Sequence, residues 1–312
     1  MNLQHLKYIL EVESERHFAR AAEKCFVTQP TLSMMIQKLE EELDIKIFDR
    51  SKQPVIPTEA GEAIIKQAKI ILQEAAKLKD IADNIKGEIK GEIKLGIIPT
   101  VAPYLLPLFL SSFLKKYPLL KLKITELTTE QITGKLKNHQ LDAGILATPL
   151  NNDALKEQPV YYEQFVVYAS GNEKLMKKKY LMPNDIDSDH LWLLEEGHCL
   201  RSQILNLCEL RKKSLGTGNL EYEAGSIETL KKMVDMNKGI TILPELALKE
   251  LTAHDKKHVR YFKPPVPVRE ISIVTYRHFV KQRIIDILKN EIIESVPKEM
   301  TLAKRKLITK IS

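Results

Sequence analysis

Thr28-Gln29-Pro30-Thr31-Leu32-Ser33-Met34-Met35-Ile36-Gln37-Lys38 decides how residues 1–58 fold. Thr28 is suited to cap a helix, and Pro30 falls in its first turn, where a missing N–H costs nothing. Leu32, Ile36, Leu39 and Leu43 then recur at helical spacing and give the helix a buried stripe. Its opposite face opens with hydroxyls and amides, the side chains that hold phosphates and read adenine in a major groove. Upstream, Leu3, Leu6, Ile9 and Leu10 mark a helix over residues 3–14. Phe18, Ala21 and Ala22 mark a shorter one over His17 to Lys24, with a break at Phe26-Val27. Downstream, Ile45 to Phe48 and Pro54 to Pro57 read as short strands about the turn Arg50-Ser51-Lys52-Gln53. Three helices followed by a hairpin is a winged helix-turn-helix pattern. On this reading Thr28, Gln29, Pro30, Thr31, Ser33, Gln37 and Lys38 face double-stranded DNA, and Arg50 and Lys52 of the wing reach backbone phosphate or the minor groove. Three helices that merely pack together would satisfy the same periodicity.

Charge alone does not single out this region. The whole chain of 312 residues carries a net +7, which favours a polyanionic partner. Yet residues 1–58 hold 8 Lys/Arg against 9 Asp/Glu, a net of −1, and residues 295–312 hold 5 against 1, a net of +4. Composition is that of a soluble globular chain, 44% hydrophobic and 29% charged, long enough for two or more domains. The most apolar stretch, Tyr104 to Leu114, is interrupted by Pro107 and stopped by Lys115-Lys116, short of the roughly 20 residues that span a bilayer. Met1-Asn2-Leu3-Gln4-His5 has no signal-peptide order. A cytoplasmic location without membrane association is the expectation. Three cysteines there argue against a structural disulfide framework, so a reactive pair would be transient and functional.

From Thr58 a long helix is indicated. Ile64, Ala68, Ile71, Ala75, Leu78, Ala82 and Ile85 step by four and three, a heptad seam too long for the small N-terminal domain to bury alone. It reads as a dimerisation helix over residues 59–87, with a hinge at Lys86-Gly87-Glu88-Ile89-Lys90-Gly91; a helix packed within its own chain is the alternative. Beyond it strand and helix patterns alternate: Glu92–Ile98, Leu105–Tyr117, Leu119–Glu126, Ile132–Asn138 and Ala143–Leu146. That predicts an α/β domain with a mainly parallel sheet, whose ligand sites lie at strand carboxyl ends. Thr100 and Thr129 occupy such places.

Residues 1–61, through Phe18-x-Arg20-Ala21-Ala22, Gln29-Pro30-Thr31-Leu32-Ser33, Phe48-Asp49-Arg50 and Thr58-x-Ala60-Gly61, resemble the N-terminal domain of LysR-type transcriptional regulators. Ser226-Ile227-Glu228-Thr229-Leu230 and Gly239-Ile240-Thr241-Ile242-Leu243-Pro244 are similar to that family's effector domain. The resemblance implies a DNA-binding regulator, not an enzyme, with RNA polymerase as partner and a dimeric or tetrameric assembly. It also implies a periplasmic-binding-protein-like domain over residues 88–300, in two α/β subdomains (88–162 with 268–300, and 163–267), then a basic tail over 301–312. Met34-Met35 stands where relatives often carry small or polar residues, so base contacts there are expected to be apolar.

Glu196-Gly197-His198-Cys199-Leu200-Arg201-Ser202-Gln203-Ile204-Leu205-Asn206-Leu207-Cys208 is the most informative stretch of the second half. Leu200, Ile204 and Leu207 have helical spacing. Nine residues of helix hold the two Cα atoms about 13.5 Å apart on opposite faces. A disulfide needs them within about 7 Å, so forming one must unwind the helix. His198, Arg201 and a helix N-terminus should favour the Cys199 thiolate, whereas Cys208 lies among leucines. Oxidation of Cys199 to sulfenic acid, resolution by Cys208 and reversal by a cellular dithiol is the natural order. Two unrelated buried thiols would carry the same spacing. Zinc held by His198, Cys199 and Cys208 makes a poor tetrahedral set, and no metal or other cofactor is expected.

Within the LysR family, Gly197-His198-Cys199-Leu200-Arg201 with Cys208 is similar to the hydrogen-peroxide-sensing members. The resemblance implies Cys199 as peroxidatic and Cys208 as resolving thiol, Thr100 and Thr129 as peroxide-pocket hydroxyls, and Arg269 as a thiolate-stabilising charge. Cys25, between Lys24 and Phe26, reads as a structural thiol. A regulator that binds a small metabolite between its subdomains is the alternative, and a thiol peroxidase the reading from another class.

Overall fold

The computed structural model describes residues 1–85, 89–171, 174–208, 223–237, 239–277, 282–301 and 307–309. The chain forms two compact units, Met1–Glu88 and Ile89–Ser312. Lys304-Arg305-Lys306 of the basic tail and Lys86-Gly87-Glu88 of the hinge lie outside the described residues.

The first unit opens with α1 (Leu3–Glu15), α2 (Phe18–Lys24) and α3 (Gln29–Leu43). Thr28 caps α3 as its sequence predicts: its side-chain oxygen accepts from the Thr31 N–H, and Pro30 sits in the first turn. Leu32, Ile36 and Leu39 bury one face of α3 against Leu6, Ile9 and Val12 of α1 and Ala21 and Ala22 of α2. The wing is shorter than the pattern predicts. Its strands are β1 (Phe48–Asp49) and β2 (Ile56–Pro57), antiparallel, with Phe48 opposite Pro57. Residues 45–47 do not join them. The buried Glu40 side chain accepts the Ile47 and Phe48 N–H groups at 2.8 and 3.2 Å, so those donors are satisfied without a strand partner. Glu40→Ala should therefore strand two buried N–H groups and lower the stability of this unit by about 2–3 kcal/mol. Glu40→Gln, which keeps an acceptor, should cost less; urea unfolding of both variants checks this.

The helix α4 runs over Glu59–Ile85. Here the seam divides. Ala68 is buried in the unit's own core, with Ile64 and Ile71 packed against it, so the first half of the stripe is covered within the chain. Leu78, further along, is 71% exposed.

The second unit runs β3 (Gly91–Ile97), α5 (Ala102–Lys116), β4 (Leu120–Glu126), α6 (Thr129–Lys137), β5 (Ala143–Thr148), β6 (Leu155–Ala169) and β7 (Tyr180–Leu181). Then come α7 (Cys199–Leu207), α8 (Ile227–Asn237), β8 (Ile240–Pro244), β9 (Val259–Phe262), β10 (Pro267–Tyr276), α9 (Gln282–Ser295), α10 (Lys298–Thr301) and β11 (Leu307–Ile308). Among the described residues the strands form one sheet in the order β4-β3-β5-β10-β6-β9-β7, with β11 beside β10 and β8 beside β6. The sheet is mixed rather than mainly parallel. β3 pairs parallel with β4 and β5, but β10 runs antiparallel to both β5 and β6. The physical reason is the long β6: its first part pairs with β10, and its last residues, Phe165–Ala169, pair with β8. The chain thus leaves along β6 and returns along β10, which sets the two in opposition.

Register matters for the site at one place. Gly96 of β3 lies opposite Gly144 of β5. A Cβ on Gly96 would come 2.9 Å from Ile132, and one on Gly144 only 2.4 Å from it. Both glycines make room for Ile132, which seats α6 on the sheet and fixes its N-terminal residue, Thr129.

Candidate functional site: a buried thiol beside a charged network

Two regions gather the predicted residues. In the first unit, Thr28, Gln29, Pro30, Gln37 and Lys38 are exposed along α3, and Thr31 and Ser33 are half-buried. Gln37 donates to Glu41 at 2.9 Å. Arg50 does not stand free on the wing. It donates to Ser33 Oγ at 2.9 Å and to Glu40 Oε2 at 3.3 Å, and its guanidinium lies 4.9 Å from the Phe18 ring centre. Lys52 remains largely exposed, with Asp49 at 4.0 Å. Cys25 caps the end of α2, half-buried, and burial pushes its thiol up.

In the second unit, Gly197 adopts a left-handed φ of +95°, a conformation glycine tolerates, and turns the chain into α7. His198 is the cap residue and Cys199 the first residue of α7; Cys208 closes its far end. Both cysteines are buried and free. The helix that the spacing predicts is therefore present, and it separates the two thiols.

The charge beside Cys199 is not the one its sequence neighbours promise. Arg201 donates to the Leu194 carbonyl at 2.7 Å and pairs with Glu223 at 3.0 Å, pinning the segments on either side of α7. His198 lies 3.6 Å from Glu195. Arg269 of β10 takes the place expected of Arg201. Its guanidinium is fully buried and donates to Glu163 Oε1 at 2.7 Å, to Thr100 Oγ1 at 3.0 Å and to the Thr100 carbonyl at 3.0 Å. Glu163 lies directly across from Arg269 in the β6–β10 register and also accepts the Leu246 N–H. Glu163 was not among the predicted residues. The available signal is a lone carboxylate within the apolar run Val160–Val167.

Burial pushes the Cys199 thiol above its ordinary value, against the expectation of a favoured thiolate. The Arg269 charge, the Thr129 hydroxyl and the N–H groups of Leu200 and Ala147 act in the opposite direction. Thr129 Oγ1 is itself buried with no partner in hydrogen-bond geometry. Thr100, Thr129, Arg269 and Cys199 thus converge, whereas Arg201 faces elsewhere. Burial pushes the Cys208 thiol up to about 12. Below pH 9 it is a neutral thiol in either folded or unfolded chain. Stability gained by keeping it neutral is present there and is lost as pH rises from about 9 to about 12. Alkylation of Cys208 in the folded reduced protein should rise about tenfold per pH unit through that window. Mass-spectrometric alkylation rates check this.

Among the described residues no cluster of His, Cys, Asp and Glu is placed to hold a metal ion, and no helix is long and apolar enough to cross a membrane.

Comparison with known proteins places this geometry in a family. Residues 3–62 match the bacterial regulatory helix-turn-helix protein of the lysR family, and residues 86–292 match the LysR substrate binding domain. The hydrogen peroxide-inducible genes activator of Haemophilus influenzae is 36% identical over 276 residues, covering 88% of this chain and 90% of that protein. The DNA-binding transcriptional dual regulator OxyR of Escherichia coli K12 is 34% identical over 274 residues, covering 88% and 89%. The structure of a full-length OxyR from Pseudomonas aeruginosa superposes with a TM-score of 0.76 at 33% identity, covering 95% and 99%. With both halves matched, the chain belongs to the LysR family and is a DNA-binding transcription regulator of the OxyR type, not an enzyme.

Proposed function

We propose that this regulator senses hydrogen peroxide through reversible formation of a Cys199–Cys208 disulfide. The observation that carries the reading is the setting of Cys199: a buried thiol at the start of a helix, beside Arg269, with the Thr129 hydroxyl against it. Arg269 lowers the cost of the thiolate. Thr100 Oγ1 accepts from Arg269, which leaves its hydrogen to donate to a peroxide oxygen; Thr129 donates to the same molecule. The thiolate sulfur attacks one oxygen, the O–O bond breaks, and the leaving hydroxide takes a proton and departs as water. Cys199 is then a sulfenic acid. Cys208 sulfur attacks it, the S–S bond forms, the S–O bond breaks, and a second water leaves with the Cys208 proton. A cellular dithiol reverses the step. His198 and Arg201 support the start of α7 from outside this contact.

Closing the disulfide requires α7 to unwind, because its two ends are about 13.5 Å apart as a helix. That rearrangement is the switch, and the exposed face of α3 is what it acts upon. Gln29, Pro30, Thr31, Ser33, Gln37 and Lys38 read double-stranded DNA from the α3 end and face, with Thr28 and Lys52 on phosphate. Arg50 reaches DNA only by leaving Ser33 and Glu40. Two chains pair through α4 at the exposed Leu78, and paired dimers give a tetramer that engages RNA polymerase. The division of residues 88–300 into two subdomains belongs to the same proposal, with β6 and β10 joining them.

A regulator responding to a small metabolite fits less well. Arg269, the buried cation that an organic acid would seek, is already neutralised by Glu163. Footprinting of operator DNA by reduced and by peroxide-treated protein tests the reading. Different footprints are expected, and dithiol treatment should restore the first.

A further inference from the structure

The last described residues of the chain touch both parts of the thiol site. β11 (Leu307–Ile308) lies parallel to β10, with Leu307 opposite Pro267 and Ile308 opposite Val268, immediately before Arg269. The Thr309 N–H donates to the Val268 carbonyl at 2.8 Å. From the other side Gln203, fully buried in the middle of α7, donates its amide to the Thr309 carbonyl at 3.1 Å. The strap therefore joins the helix that bears Cys199 to the strand that bears Arg269. The fastening is incomplete: Gln203 Oε1 and Thr309 Oγ1 are both buried without a partner. One bond holds a buried amide that can make more, so the contact restrains α7 without locking it.

We propose that Gln203 and the segment Leu307–Thr309 are positioning elements that hold α7 wound, and so slow disulfide closure without altering the attack of Cys199 on peroxide. This rests on the peroxide reading above. Gln203 lies between the two cysteines, so it cannot keep its bond to Thr309 once the turns around it unwind. The sulfur of Cys199 and its neighbours Arg269, Thr100 and Thr129 make no use of the strap's polar atoms. Breaking the strap should therefore leave the first chemical step alone and speed the second.

The test uses full-length reduced protein, the variant Gln203→Met, a chain ending at Lys306, and Thr309→Val as control. Met keeps the volume of Gln203 and removes its donor. Val removes only a hydroxyl that has no partner. Amide hydrogen exchange of residues 199–208 is measured without any oxidant. It should rise about three- to tenfold in Gln203→Met and in the shortened chain, the range set by loss of one net hydrogen bond, and stay unchanged in Thr309→Val. Peroxide is then added and two rates are followed: sulfenic acid trapped on Cys199 in a Cys208→Ser background, and disulfide closure in its absence. The first rate should hold constant across all variants, and the second should rise about three- to tenfold in the two strap variants. Unchanged exchange and unchanged closure in both strap variants would overturn the proposal, as would an equal change in both chemical rates. Faster exchange with no oxidation of Cys199 in any protein would sink the peroxide reading while upholding the strap's hold on α7.

Discussion

Cys199→Ser should leave a protein that binds its operator with the reduced footprint and keeps that footprint in peroxide. Serine matches the thiol closely in size, so the buried site and the α7 N-terminus should survive. What goes is the sulfur proposed to take oxygen from peroxide. In the proposed step Arg269, Thr100 and Thr129 orient and polarise, but none of them is oxidised. Cys208→Ser should behave differently. Sulfenic acid should accumulate on Cys199, because the thiol proposed to resolve it is gone. The pair of variants thus separates the first step from the second. A regulator that answers to a metabolite would keep its response in Cys199→Ser, and retention of the response in operator footprinting would decide for that alternative.

Arg269→Met should have the largest effect on stability. It leaves Glu163, fully buried, without its cation, and breaking a buried pair from one side costs about 3–5 kcal/mol. Two further donors to Thr100 are lost with it. The double variant Glu163→Leu with Arg269→Met removes both charges and should recover much of that loss, since a buried pair is often nearly neutral against apolar residues of similar volume. Urea denaturation of the single and double variants reads the coupling directly. The chemistry should not recover with the fold. Burial already raises the Cys199 thiol, and Arg269 opposes that. Without the cation the thiol rises further, less thiolate is present at neutral pH, and the rate–pH curve for reaction with peroxide moves to higher pH. A double variant that folds well yet reacts slowly would separate the structural part of Arg269 from its electrostatic part. A double variant with an unshifted rate–pH curve would contradict the assigned role.

Local signals in the sequence carry the fold well. The Thr28 cap, the stripe of Leu32, Ile36 and Leu39, and the helix from Cys199 to Leu207 all depend on residues a turn or two apart, and each forms as the pattern requires. The wing is less legible, because Glu40 on α3 takes the Ile47 and Phe48 N–H groups that strand pairing would otherwise use. No periodicity within residues 45–57 records that. The heptad seam is uniform in spacing but not in burial: Ala68 lies in the unit's own core while Leu78 is open.

The thiol site divides along the same line. The two cysteines and their spacing are visible in one short segment. Their electrostatic setting is not visible there, because it is assembled across strands, and Arg269 enters the sequence reading only through the family resemblance. His198 and Arg201 are adjacent in sequence to Cys199, yet Arg269, brought in by the β6–β10 pairing, supplies the charge. Glu163 follows only from the register that sets it opposite Arg269. The contact of Gln203 with Thr309 depends on where the segment Leu307–Thr309 docks, which no pattern around either residue announces.

The disulfide switch is tested most directly on purified, fully reduced, full-length protein given one equivalent of hydrogen peroxide for seconds, then alkylated, digested and mapped by mass spectrometry. A peptide cross-linked between Cys199 and Cys208 is expected, with Cys25 alkylated. Cys199 and Cys208 both recovered as alkylated thiols would contradict it.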